Sequence, residues 1–167
     1  MGTTNTKTCS SLRRVKNVDA LESLRRLKYR YLRSLDLKQW DEFADTLAAD
    51  VTASYGPRLQ FAGRDAVVDY MRNSLPASII TIHQCHHPEL DVDGEHATGR
   101  WYLEDKVIVV EHRMLLTGAA FYDDEYVRGP DGTWRISRTG YVRSYEATEQ
   151  LPDSWQLTAN RFAEATA

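Results

Sequence analysis

The hydrophobic pattern of this chain is mostly helical in its first half and alternating in its second. Leu21, Leu24, Leu27, Tyr31 and Leu35 recur every three or four residues, behind Val18 and an Asp19/Glu22 pair spaced as a capping box. This predicts an amphipathic helix over about residues 19 to 35. A second helical stripe, Trp40, Phe43, Ala44 and Leu47, begins near Leu37 and stops before Asp50. A third follows Gly63, with Ala66, Val67, Tyr70 and Met71 inward, and ends near Leu75 and Pro76. Between the second and third, Val51 to Tyr55 and Leu59 to Phe61 alternate as two short strands around Gly56-Pro57.

From Ile79 onward the period is two. Ile79 to Cys85, Glu89 to Val92, Ala97 to Val110, Leu115 to Arg128 and Thr133 to Tyr145 read as strands, with turn signals at Asp93-Gly94 and Pro130-Asp131-Gly132. Helices followed by a long meander predict an α+β domain: a curved antiparallel mixed sheet forming a cone, with the N-terminal helices packed over it. Gly99, Gly118 and Gly140 inside the strands mark bulges or bends that curl the sheet and leave a cavity. Residues 1–16 are expected as a disordered polar arm, 17–148 as the cone domain, and 149–167 as a tail with Trp155 as its anchor.

Composition narrows the partners. A chain of 167 residues fits one domain, which buries roughly two-thirds of its unfolded surface, enough for a core with an internal pocket. The net charge of -3 and scattered arginines offer no basic field for nucleic acid. No apolar run approaches the roughly 20 residues that span a bilayer, so a soluble cytoplasmic protein without a membrane partner is expected. Cys9 and Cys85 are expected as two reduced thiols, and Cys85-His86-His87 lacks the second ligand cluster a zinc site needs. Met1-Gly2-Thr3-Thr4-Asn5-Thr6 fits a myristoylation pattern that small polar residues match often by chance.

The chemistry starts from one misplaced acid. In Gly99 to Val110, Trp101, Leu103, Asp105, Val107 and Val109 share one strand face, and a carboxylate among such neighbours is costly to bury unpaired. His83, one strand earlier, is the expected partner: the carboxylate fixes one ring nitrogen as a donor and leaves the other as a general base, with a buried ion pair without catalysis as the alternative. Trp101, on the same face, is expected in the cavity wall. Tyr31, on the first helical stripe, and Tyr55, before the Gly-Pro break, are expected to donate hydrogen bonds to a carbonyl or developing enolate, with core packing as the alternative. Asp36 closes the first helix as a cap or supporting acid, and Arg143 is expected at the rim, as a surface residue or a clamp on an acidic substrate tail. No phosphate loop, nucleophile elbow, H-E-x-x-H helix or dinucleotide fingerprint is present, which favours a cofactor-free reaction.

Several blocks carry a family resemblance: Leu27-Lys-Tyr-Arg-Tyr31-Leu-Arg-Ser-Leu-Asp36, Ser54-Tyr55, His83 with Pro88-Glu89, Gly99-Arg-Trp-Tyr-Leu-Glu-Asp105, Gly118-Ala-Ala-Phe-Tyr122 and Thr139-Gly-Tyr-Val-Arg143. On these the chain resembles the SnoaL-like group of the nuclear transport factor 2-like superfamily. Within that group it is most similar to bile acid 7α-dehydratases, with scytalone dehydratase more distant. The resemblance implies His83 as base, Asp105 as its acid, Tyr31 and Tyr55 as hydroxyl donors, Asp36 and Arg143 along the site, and no metal or nucleotide. It implies a dehydratase, a carbon-oxygen lyase, acting on a small hydrophobic hydroxylated carbonyl compound, steroid-like, alicyclic or polyketide-like, free or as a coenzyme A thioester. The alternatives are a double-bond isomerase or polyketide cyclase at the same site, and a non-catalytic small subunit or ligand-binding module. A homo-oligomer, dimer or trimer, is expected.

Overall fold

The computed structural model describes the backbone of residues 6–163 and the side chains of residues 18–163. The chain order is α1 (Thr6–Asp36), α2 (Trp40–Asp45), β1 (Leu47–Ser54), β2 (Gln60–Ala62), α3 (Arg64–Ser74), β3 (Ile79–Asp93), β4 (His96–Val109), β5 (Met114–Arg128) and β6 (Trp134–Gln150). Two helices precede the first strand and α3 joins β2 to β3; the strands form a single curved sheet of order β2-β1-β6-β5-β4-β3. All neighbours are antiparallel except β1 and β6, which run parallel, so the expected α+β architecture is the observed one.

The helix boundaries differ from the expected ones. α1 begins at Thr6, so the Asp19/Glu22 pair lies inside it and the arm expected to be disordered is helical from Thr6. No glycine or proline separates Thr6 from Asp36, so nothing forces a start at Asp19. The myristoylation pattern at Met1 to Asn5 and the Cys9 side chain lie outside the described residues. α2 is shorter than its apolar stripe, because Ile136 N–H donates to Thr46 O at 2.9 Å and Leu47 pairs with Ile136 in the sheet. Leu47 is thus fully buried as a strand residue.

The two strands expected around His86-Pro88 are one. β3 runs through, with a register shift between His86 and Glu89 and His87 at φ 45°, a bulge that accommodates the proline. The core joins Leu24, Leu27 and Leu35 of α1 to Phe43, Val67 and the inward sheet residues Trp101, Leu103, Tyr126 and Ile136. Tyr102, Phe121 and Val142 stay exposed on the opposite sheet face.

Among the described residues no α-helix or strand follows β6. Leu151, 5 % exposed, anchors it through its N–H to Arg113 O, with Trp155 only half-buried. The segment then turns back so that Asn160 donates to Ala77 O at 3.3 Å and Phe162 meets the Lys38 ammonium.

Candidate active site

The end of α1 places the first acid. Lys38 N–H donates to Leu35 O and Gln39 N–H to Ser34 O, and Lys38 takes φ 58°, so the helix closes in a left-handed cap and turns sharply. This fixes Asp36, in the last turn, against β3. Asp36 Oδ1 accepts from His83 Nδ1 at 2.6 Å and from Thr81 Oγ1 at 2.8 Å, and Oδ2 accepts from the His83 backbone N–H at 2.8 Å. A carboxylate only accepts, so Nδ1 carries a proton, and in the neutral ring Nε2 keeps its lone pair. The His83 and Asp36 side chains are 14 % and 19 % exposed, shielded but reachable.

Asp105, the expected partner of His83, is engaged elsewhere. The two residues are register neighbours across β3 and β4, and Asp105 does face inward, only 4 % exposed. Both its oxygens, however, accept from Arg143, Oδ1 from Nη1 and Oδ2 from Nη2 at 2.8 Å. Parity identified the face and not the partner. A bidentate guanidinium is a strong match for a buried carboxylate, and Gly118 makes it possible: a Cβ at Gly118 would stand 2.3 Å from Arg143 Nη1 and 2.9 Å from Asp105 Oδ1. Pairing with Asp105 keeps Arg143 charged against the opposing effect of burial. Glu146 lies 3.4 Å from Arg143 Nε, so two carboxylates offset this cation and the expected clamp on an acidic tail loses its free charge.

The hydroxyl donors expected from the sequence do meet. Tyr31 OH and Tyr55 OH are 2.7 Å apart; Tyr31 has no exposed surface and Tyr55 has 8 %. Burial pushes both phenols well above the ordinary tyrosine range, which keeps them protonated donors. Tyr55, Tyr141 and Arg143 border an open cleft of about 690 Å³ that Gly56, Leu59 and Gln60 also line, within the size range of small-molecule sites. Trp101 is not a cavity wall: it has no exposed surface, its Nε1 donates to Tyr126 OH at 2.8 Å, and it packs edge-on to Tyr29.

A second buried charge pair escaped the sequence reading. Lys28 Nζ lies 2.8 Å from Asp124 Oδ2, both side chains wholly buried, and Asp124 also accepts from Tyr126 OH and Thr139 Oγ1. The signal was available, since Lys28 falls on the stripe of Leu24, Tyr31 and Leu35, and Asp124 shares the inward parity of Tyr122 and Tyr126. Among the described residues no group of three or more His, Cys, Asp or Glu side chains is arranged to hold a metal ion, and no helix is long and apolar enough to cross a membrane.

Known proteins share this arrangement of elements. The SnoaL-like domain model matches residues 16–140. A putative scytalone dehydratase from Novosphingobium aromaticivorans superposes with a TM-score of 0.72 at 20 % identity, over 84 % of this chain and 97 % of that one. A hexachlorocyclohexane dehydrochlorinase, LinA type 2, gives 0.75 at 20 % identity over 84 % and 99 %. ActVI-ORFA from Streptomyces coelicolor gives 0.65 at 15 % identity over 75 % and 98 %. The family model spans most of the sequence and the shared fold is the helix-covered cone, so the chain belongs to the SnoaL-like domain family.

Proposed function

We propose that this protein is a cofactor-independent dehydratase that removes water from a hydroxylated carbonyl compound of alicyclic, steroid-like or polyketide-like type. The observation that carries the reading is the contact between His83 Nδ1 and Asp36 Oδ1 at 2.6 Å. It leaves Nε2 as a base whose imidazolium form the carboxylate stabilises.

In the elimination, Nε2 takes a proton from a carbon made acidic by a conjugated carbonyl. The C–H pair becomes the new double bond of a dienolate, and charge develops on the carbonyl oxygen. Tyr31, wholly buried, donates to Tyr55, and Tyr55 turns its own O–H to that oxygen in the cleft. As the enolate collapses, the carbon-oxygen bond breaks and the departing hydroxyl takes the proton back from the imidazolium, leaving as water. One proton moves out and returns, so no oxidant or reductant is needed. General base catalysis contributes about 10²- to 10⁴-fold and one oxyanion donor about 10²- to 10³-fold, sufficient for an already activated proton.

The names of two structural relatives, a putative dehydratase and a dehydrochlorinase, both describe eliminations and support a site built around a base. The resemblance to bile acid 7α-dehydratases points first to steroid-like hydroxy-enones. Because two carboxylates offset Arg143, a neutral substrate fits the cleft better than an acidic one. An open cleft supports an enzyme over a plugged binding module. The test follows product mass over a panel of hydroxy-enones: loss of one water by the wild type, abolished in His83→Ala, is expected. Turnover without loss of water would make the protein an isomerase or cyclase, and an active His83→Ala variant would remove His83 from the mechanism.

A further inference from the structure

Four tyrosines are buried in the core, and the hydroxyls of Tyr31, Tyr55 and Tyr126 are hydrogen-bonded. The fourth, Tyr122, is 2 % exposed; no hydrogen bond ties its hydroxyl to the described residues, and it is not sealed from solvent, since the fully buried unpaired side-chain atoms among those residues are Lys28 Nζ and Arg30 Nε. A donor this deep that the protein leaves unpaired and open to solvent-sized space marks a place where something other than the protein accepts. Its surroundings indicate where. Tyr122 is the register partner of Tyr141, their rings meet edge to face at 5.3 Å, and Tyr141 in turn packs 5.6 Å from Tyr55, both at the cleft.

A face of the Tyr122 ring is occupied by a cation. Lys28 Nζ sits 3.4 Å from its centroid, held there by Asp124 at 2.8 Å without a well-aligned hydrogen bond to it. The Asp124 carboxylate is shared with two hydroxyl donors, so the ammonium keeps a strong field toward the ring. A cation on a phenol face draws electron density from the ring and polarises its O–H. Burial meanwhile pushes the Tyr122 phenol well above the ordinary tyrosine range, so it remains a donor at neutral pH.

We propose that Tyr122 is the second hydrogen-bond donor to the substrate's carbonyl oxygen, beside Tyr55, and that Lys28 acts as a positioning residue that strengthens this donor through the ring. The inference rests on the dehydratase reading and deepens it. The Tyr31/Tyr55 pair uses one of its two protons internally, so it offers a single outward donor. An enolate oxygen is best held by two, and Tyr122 supplies the missing one.

The test uses the full chain and a steroidal enone, testosterone, whose single conjugated carbonyl shifts its ultraviolet band to the red when it accepts hydrogen bonds. Tyr122→Phe keeps the ring and its contact with Lys28 and loses only the unpaired hydroxyl. The expected result is a red shift in the wild type, a clearly smaller shift in Tyr122→Phe, kcat on a turned-over hydroxy-enone lowered about 100-fold, and an unchanged or raised melting temperature. A Lys28→Met/Asp124→Asn variant, which removes both charges, is expected to bind the probe with a reduced red shift, an effect a purely structural role would not produce. An undiminished shift in Tyr122→Phe, a drop in melting temperature as the sole effect, or no binding of the probe by the wild type overturns the inference. Turnover with water loss and an undiminished shift in Tyr122→Phe would leave the dehydratase reading standing and this inference refuted; a Tyr122-dependent shift without turnover would do the reverse.

Discussion

Asp36 holds His83 twice, through the ring Nδ1 at 2.6 Å and through the backbone N–H at 2.8 Å. One carboxylate therefore sets the position of the strand and the tautomer of the imidazole together, and the two acids near His83 have separable jobs. Asp36→Asn is expected to lower kcat by about 10²- to 10⁴-fold, because an amide no longer dictates which ring nitrogen keeps the proton. Asp105→Asn is expected to act mainly on KM, by releasing Arg143 into the cleft. Steady-state kinetics of the two variants side by side, with melting temperatures as a control, distinguish these effects.

Gly118 is a space requirement. Gly118→Ala would put a methyl group 2.3 Å from Arg143 Nη1 and 2.9 Å from Asp105 Oδ1, and the flexible arginine end is the part able to yield. The fold should persist while the ion pair is displaced, with KM rising by roughly tenfold or more, about 1.4 kcal/mol of lost binding. A structure of the variant with the pair intact would refute this account.

The Lys28–Asp124 pair is wholly buried, so losing one member leaves an uncompensated charge. Lys28→Met alone is expected to cost about 3–5 kcal/mol of stability, and neutralising Asp124 in the same chain should recover much of that. Urea unfolding of the single and double variants measures both.

Burial pushes the Cys85 thiol up to about 11, with the nearby Lys28 cation pulling the other way. Native Cys85 should be alkylated at a rate that keeps rising about tenfold per pH unit toward pH 11, whereas in urea the rate levels off near the ordinary value of about 8.5. Because the folded value lies above the unfolded one, the neutral thiol's contribution to stability is complete below about pH 8.5 and fades as pH climbs toward 11. Peptide mapping after iodoacetamide pulses follows Cys85 specifically; a plateau near pH 8.5 in the folded protein would contradict the burial.

Much of this molecule was legible from local pattern. Helical stripes and strand alternation are consequences of backbone period, so the helices, the meander, the inward face of Asp105 and the convergence on a cone could be read before any contact was known. Where local signals competed, boundaries moved: Leu47 fits the stripe of α2 and still joins β1, because pairing with Ile136 of β6 satisfies backbone groups that another helical turn would leave behind.

Period assigns a side chain to a face, and the sequence by itself determined that much: an acid, a histidine and two tyrosines directed into a helix-covered cone. Which acid meets the histidine was decided only in three dimensions. Docking of the α1 cap against β3 brings Asp36 to His83, and β6, lying beside β5 in the sheet, carries Arg143 across Gly118 to Asp105. Neighbouring strand positions share a register, but charged side chains pair with whichever partner can reach them in the best geometry out of water, and that partner is set by contacts between distant parts of the chain.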